Sequence, residues 1–138
     1  MQETRIDGVV SLWVGVSPSQ EALEDYVDID YSSTVSPPSS GLAHDFRTGF
    51  YDHDFMDTSF HETPTRSLTD LLSGCSYDSL ITPKFVALCG PLVPSKANSV
   101  VLLYNFRHSG SPGPAAASDS AVRLRYMGSI TVEMPWPD

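Results

Sequence analysis

Apolar and polar residues follow patterns along the chain that predict three strands. Residues 9–14, VVSLWV, are rich in β-branched and aromatic side chains, which favour a strand. Residues 99–106, SVVLLYNF, are nearly all apolar and predict a strand that is buried on both faces. Residues 122–134 alternate apolar and polar positions up to a break at Gly128 and then resume, which predicts a half-buried strand with an irregularity. The last two strands form an antiparallel pair in this interpretation.

Helix signals lie between the first strand and the second. Ser17 and Gln20 have the spacing of a capping box, and a proline follows the serine, so we expect a helix over about 18–29. Two Thr-Pro pairs, at 63–64 and at 82–83, give similar start signals for two short helices. Residues 50–60 fit the periods of a strand and of a helix equally well, and the pattern leaves both open.

This order of elements predicts an α+β fold. We expect a small sheet containing antiparallel strands, with short helices packed mainly on one face. The length predicts a single domain over residues 1–138. Residues 32–41, rich in serine and proline, and residues 108–121, rich in glycine, proline and alanine, predict flexible loops.

The net negative charge arises from one region of the chain. The formal net charge is -9, and residues 21–62 carry ten acidic residues against one base, Arg47, so this region accounts for all of it. Such a region repels nucleic acid and attracts basic protein surfaces. A solvated face that keeps the protein soluble is the simpler alternative.

Residues 49–62, GFYDHDFMDTSFHE, combine acidic and aromatic side chains most densely. Asp52, His53 and Asp54 could be metal ligands, but the spacing of EF-hand loops and of HExxH zinc sites is absent. We therefore expect no metal and no other cofactor. The aromatic residues of this part of the chain are expected to be core residues, namely Phe46, Tyr51, Phe55 and Phe60. Aromatic side chains anchored in a core would hold the acids between them on a rigid base for a basic partner.

Other classes of function find little support in the sequence. No segment approaches the roughly 20 apolar residues of a membrane helix, and no secretory signal is recognisable, so we expect a cytoplasmic protein that binds neither membranes nor nucleic acid. Cys75 and Cys89 form no metal-binding or disulfide pattern and are interpreted as small core residues. Motifs of nucleophilic catalysis and of phosphate binding are absent, so an enzyme is not expected.

Several segments, in order, resemble the immunity protein 22 family of bacterial polymorphic-toxin systems. These segments are SLWVG, EALEDYV, LAHDF, FYDHDFMDTSF, SLTDLLSGCSY, NSVVLLYNF and RLRYMGSI. The resemblance implies a small cytoplasmic α+β protein that binds a toxin domain and neutralises it, with no catalytic residues. It also places Trp13, Phe46 and Tyr104 in the core and the aspartates of the family motifs, Asp45, Asp52 and Asp54, at the candidate interface.

The prediction from the sequence is therefore an immunity protein that binds a cognate toxin domain, itself basic, through an acidic surface. The candidate partner-binding residues are Asp25, Asp28, Asp45, Asp52, Asp54, Asp57 and Glu62. Two alternatives remain open at this stage. One is a small metal-dependent hydrolase that uses Asp52, His53 and Asp54, and the other is an acidic interaction module with a different partner.

Overall fold

The computed structural model describes residues 5–28, 40–46, 55–108, 110, 112–114 and 121–133. These residues form an antiparallel sheet with the strand order β2-β3-β1-β5-β4. The strands are β1 (Arg5–Val16), β2 (Met56–Ser67), β3 (Leu92–Phe106), β4 (Gly113–Pro114) and β5 (Arg123–Thr131). The helices are α1 (Gln20–Val27), α2 (Gly41–Phe46), α3 (Leu68–Leu72) and α4 (Asp78–Cys89). The predicted α+β class is confirmed, and none of these helices is long and apolar enough to cross a membrane.

The two apolar runs of the sequence form the centre of the sheet. Strand β1 pairs with β3 on one side and with β5 on the other. Its residues alternate between the two faces, so Leu12 and Trp13 point in opposite directions and both are fully buried. Residues 100–104 of β3 are buried on both faces, as their continuous apolar character predicts.

The helices divide between the two faces of the sheet. Helices α3 and α4 cover one face, where Leu71, Ile81 and Phe85 pack on Leu12. Helices α1 and α2 cover the other face, where Leu23 packs in the cluster that contains Trp13. The expectation that the helices pack mainly on one face is thereby corrected. The reason is physical, because central strands that are apolar on both faces must be covered on both.

Two irregular positions in the strands move side chains from one face to the other. At Asn105 the backbone is left-handed, with φ +59°, and Phe106 consequently joins the α1 and α2 face. In β5, Tyr126 pairs with Trp13 and Gly128 pairs with Leu12, so Met127 is an extra residue. Gly128 has φ +127°, and beyond it Ile130 faces α3 and α4. The break predicted at Gly128 is a register shift in the structure.

The helices begin at other residues than the sequence cues indicate. Helix α1 has Ser19 as its N-cap, with the side chain accepting from the Ala22 N–H at 3.1 Å. Ser17 is instead buried and its hydroxyl bonds to that of Ser99 at 2.6 Å, so the capping box assigned to Ser17 was wrong. Helix α3 begins after Ser67, since residues 56–67 are strand.

Helix α4 begins at Asp78 and has Pro83 in its interior rather than at its start. The Thr-Pro pair at 82–83 is therefore no start signal in this chain. Within the loop predicted at 108–121, residues 113 and 114 form β4 against β5. Most of the loop predicted at 32–41 lies outside the described residues, as do 109, 111 and 115–120, and the flexibility of both segments stays a prediction.

Candidate functional site

Helix α1 places a row of acidic residues on the surface. Its apolar positions, Leu23, Tyr26 and Val27, are buried against the sheet. The helical period therefore directs Glu24 and Asp25 outward, and both are exposed. Asp28 follows at the C-cap, where its backbone N–H donates to the Glu24 carbonyl at 3.0 Å. Helix α1 and its C-cap thus place these three carboxylates close together.

The outer strand β2 supplies a fourth carboxylate. Strand β2 ends the sheet order and pairs only with β3 among the described strands, with Asp57 opposite Leu102. Asp57 is half-buried, and its Oδ2 accepts a hydrogen bond of 2.7 Å from the Ser76 N–H. Leu102 faces α3 and α4, so this bond holds the carboxylate at the turn between those helices, where Asp57 borders α1 through the edge of β2.

Helix α1 and strand β2 enclose a groove of about 450 Å³. We call it the acidic groove, and its lining consists of Glu24, Asp25, Val27, Asp28, Met56, Asp57 and Thr58. No basic side chain is among these residues. The carboxylates of Glu24, Asp25 and Asp28, with that of Asp57 at the border, give the groove a concentrated negative potential that favours a lysine or arginine side chain.

The base of the acidic groove is anchored in the core. Val27 is 2 % exposed, and Met56 packs against the cluster on the α1 and α2 face. The Tyr26 hydroxyl donates to Asp45 Oδ2 at 2.7 Å and so joins α1 to α2. A groove supported in this way loses less side-chain and backbone entropy on association than a loose loop does.

The seven predicted site residues have different places in the structure. Asp25, Asp28 and Asp57 come together in the acidic groove. Asp45 is half-buried, and the hydrogen bond from Tyr26 uses its carboxylate within the fold. Glu62 is exposed on β2 but does not line the groove. Asp52 and Asp54 lie outside the described residues.

Glu24 belongs to the groove but was not among the predicted site residues. The signal was present in the sequence, because Glu24 and Asp28 are four residues apart and share one side of a helix. Its Oε2 accepts from Gln20 Nε2 at 2.9 Å, which orients the carboxylate along the helix.

The charge of Asp57 also affects the pKa values of two groups in the core beneath α3 and α4. Burial is the main cause that raises the pKa of the Cys75 thiol to about 12, and the negative charges of Asp57 and Asp78 add to it. Burial likewise raises the pKa of the Tyr104 hydroxyl, with Asp57 as the next cause. Cys75 is buried and Cys89 half-buried, both as free thiols beside the α3 and α4 face.

The aromatic residues serve the core, as the sequence indicated. Phe46 packs edge-on against Trp13 with ring centroids 6.0 Å apart. Phe55 and Phe60 pack against the two core clusters, one on each face, and Tyr104 is 5 % exposed. Tyr51 lies outside the described residues.

The described residues do not assemble a metal site. Within those ranges no group of three histidine, cysteine, aspartate or glutamate side chains is placed to hold an ion. The candidate ligands Asp52, His53 and Asp54 are outside them, so the metal-dependent alternative is not addressed by this geometry.

A small α+β protein with a fixed acidic groove is suited to binding a basic surface. Comparison with protein families gives a match over residues 10–133 to the family described as Immunity protein 22. The chain belongs to this family. Comparisons with curated proteins and with solved structures gave no match.

Proposed function

We propose that this immunity protein binds its cognate toxin domain at the acidic groove and neutralises it by occupying a basic part of its surface. The observation that carries the proposal is the convergence of Glu24, Asp25, Asp28 and Asp57 on one groove. Membership of the immunity protein family supports an immunity role, and the geometry supports the place and sign of the contact.

The groove offers a basic side chain both charge and shape. A lysine or arginine entering between α1 and β2 would meet the three carboxylates of α1 and its C-cap, and its methylene groups would pass along Val27 and Met56. Hydrogen bonds to carboxylates are roughly twice as strong as bonds between neutral groups. We expect one arginine or lysine of the toxin to be the central contact.

The wider acidic region would guide the approach of the toxin. Complementary charge raises association rate constants from about 10⁵–10⁶ to as much as about 10⁸–10⁹ M⁻¹s⁻¹ at low salt. Asp45, Asp52, Asp54 and Glu62 belong to this region in the proposal. Charge reversal of Asp52 and Asp54 together is expected to weaken toxin binding without changing the melting temperature appreciably.

Neutralisation in this proposal requires binding alone. The bound immunity protein covers or distorts the surface that the toxin needs for its activity in the producing cell. No residue of the immunity protein takes part in a reaction. The partner is a protein, and neither a cofactor nor a nucleic acid is needed.

A rescue experiment in bacteria tests this function. The C-terminal domain encoded by the neighbouring gene is expressed with and without this protein, and growth is measured before the two proteins are purified together. We expect growth to be restored and a stoichiometric complex to be recovered. A toxic domain that is neither neutralised nor bound would overturn the pairing.

A folding control belongs in the same experiment. Leu23 is fully buried beneath α1, so Leu23→Asp places an unpaired charge in the core and should abolish folding and rescue together. Rescue by wild type and none by Leu23→Asp would show that the folded protein is the neutralising species.

A further inference from the structure

A second and larger cleft lies towards the other edge of the sheet from the acidic groove. It has a volume of about 580 Å³, within the range of about 300–1,000 Å³ that is usual for ligand sites. We call it the arginine cleft, and it is formed by the end of α4, the start of β3, the segment after β3 and the strand β5. Its lining consists of Leu88, Cys89, Leu92, Pro94, Arg107, His108, Gly110, Pro112, Arg125, Tyr126, Met127, Gly128 and Ser129.

The charge of the arginine cleft is opposite to that of the whole chain. Arg107 and Arg125 line it, and no carboxylate of the described residues does, although the chain carries a net charge of -9. A smaller adjoining cleft shares Arg125 and adds Lys96, and its described lining contains no acidic residue. Positive charge is therefore concentrated at these clefts, although the chain as a whole is acidic, and it favours an anionic ligand group.

Exposed apolar side chains border the same cleft. Leu88 and Leu92 are each 54 % exposed, the highest values among the large apolar residues of the described chain. Leu88 lies over Gly128, where a Cβ would come within 2.8 Å of its Cδ2. The cleft thus offers an apolar wall beside its two guanidinium groups, which suits a ligand with an apolar side chain next to an anionic one.

Among the described residues, β5 has a strand partner on its outer side only near its start. Strand β4 pairs only with Arg125 and Tyr126, whereas β5 continues to Thr131. Continuation of this antiparallel register leads Gly110 and Pro112 past residues 127–129, and both line the cleft together with them. The Met127 carbonyl is directed towards α4, since it accepts a bond of 3.4 Å from Cys89 Sγ.

We propose that the arginine cleft is a second protein-docking site, which binds an extended peptide segment carrying carboxylate side chains. The segment lies in the cleft beside residues 127–129 of β5, and one of its carboxylates pairs with Arg125 and Arg107. Its apolar side chains pack on Leu88 and Met127. This site is independent of the acidic groove, because it takes a partner surface of the opposite charge.

A pair of synthetic peptides tests the proposal. One is an acetylated and amidated peptide of about eight residues that alternates valine with glutamate, and the other has lysine in place of glutamate. Each is added to isotopically labelled protein while backbone amide shifts are recorded by NMR. We expect the glutamate peptide to shift the amides of Met127, Gly128 and Ser129 in a saturable manner, and the lysine peptide to bind at least about tenfold more weakly.

Two charge reversals distinguish docking from general attraction. Arg125→Glu changes a residue of the cleft, whereas Arg123→Glu makes the same change two positions earlier on β5, outside the cleft lining. Arg125→Glu should weaken binding of the glutamate peptide at least about tenfold, and Arg123→Glu should change it less than about threefold. Arg107→Glu should reproduce the loss if Arg125→Glu proves to alter folding.

The proposal is overturned by either of two results. One is the absence of saturable shifts at residues 127–129 with the glutamate peptide. The other is an equal effect of the Arg125 and Arg123 reversals, which would show diffuse electrostatic attraction. Neither result bears on toxin binding at the acidic groove.

Discussion

Asp57 lies where the acidic groove meets the turn between α3 and α4. One of its oxygens accepts from the Ser76 N–H, and its charge is one cause of the raised pKa of Cys75. The same side chain thus anchors a turn and contributes charge to the groove. Its two contributions can be separated, because an amide oxygen accepts the same hydrogen bond without the charge.

Substitution of Asp57 should therefore give two distinct results. Asp57→Asn keeps an acceptor for the Ser76 N–H and should leave the free energy of unfolding nearly unchanged while weakening toxin binding. Asp57→Ala removes the acceptor as well and should lower the free energy of unfolding by about 1 kcal/mol. Urea denaturation and binding titrations of both variants provide the measurement. Equal stability losses in the two variants would contradict the role assigned to the hydrogen bond.

Cys75 gives the fold a dependence on alkaline pH. Its thiol ionises near pH 9 in the unfolded chain, whereas the folded pKa is about 12. The contribution to stability is therefore full below about pH 9 and is lost as the pH rises towards 12. Melting curves of wild type and Cys75→Ala between pH 8 and 11 should converge as the pH rises. Curves that stay parallel would show that the pKa of the Cys75 thiol is the same in the folded and unfolded states.

At the scale of elements, α1 and its C-cap carry Glu24, Asp25 and Asp28 of the acidic groove. The capping of this helix therefore affects the groove as well as the helix itself. The helix is capped by Ser19 and not by Ser17, whose hydroxyl is used between β1 and β3. Ser19 has alanine three residues later, so the capping-box pattern in the sequence pointed only to Ser17. Ser17 does not cap the helix because it is buried against β3, and this burial depends on the tertiary fold.

Loss of the Ser19 cap should therefore affect both stability and the groove. Ser19→Ala should lower the free energy of unfolding by about 1 kcal/mol, and Ser19→Asp should retain most of it. Toxin affinity should fall in the alanine variant because α1 frays at its start. Chemical denaturation and titration of the two variants test this, and an alanine variant as stable as wild type would contradict the assignment of the cap.

The strands could be predicted more reliably than the helix starts. Alternating or continuous apolar residues in β1, β3 and β5 reflect burial directly, and the break at Gly128 was visible as an interruption of that pattern. The Thr-Pro pairs gave wrong helix starts, because proline also occurs in edge strands and inside a helix of this chain. Pro64 lies in β2, which is at the edge of the sheet where proline is tolerated, and Pro83 lies inside α4.

At the scale of the whole molecule, the two charged surfaces lie towards opposite edges of the sheet. The acidic groove includes β2, at one end of the strand order, and the arginine cleft includes β5, next to the other end. The sequence revealed that acid was concentrated in residues 21–62. It could not reveal that Asp57 meets α1, because 29 positions separate it from Asp28 and the packing of α1 on β2 brings them together.

The separation of charge predicts a strong effect of salt on toxin association. Raising ionic strength from about 0.01 M to about 0.15 M shortens the screening length from about 30 Å to about 8 Å. The association rate constant should fall by at least about tenfold over this range, with a smaller change in the dissociation rate constant. Stopped-flow kinetics with the purified toxin domain measure both, and an association rate that does not respond to salt would argue against an acidic binding surface.

The most direct test of the acidic groove compares two charge-reversed variants in toxin binding. Asp25→Lys with Asp28→Lys changes the groove, and Asp70→Lys with Glu133→Lys makes the same change of net charge at exposed residues outside it. Isothermal titration of the toxin domain should show at least about a hundredfold loss of affinity for the groove variant and less than about fivefold for the control, with both variants folded. Equal affinities for the two variants would show that the acidic groove is not the toxin-binding site.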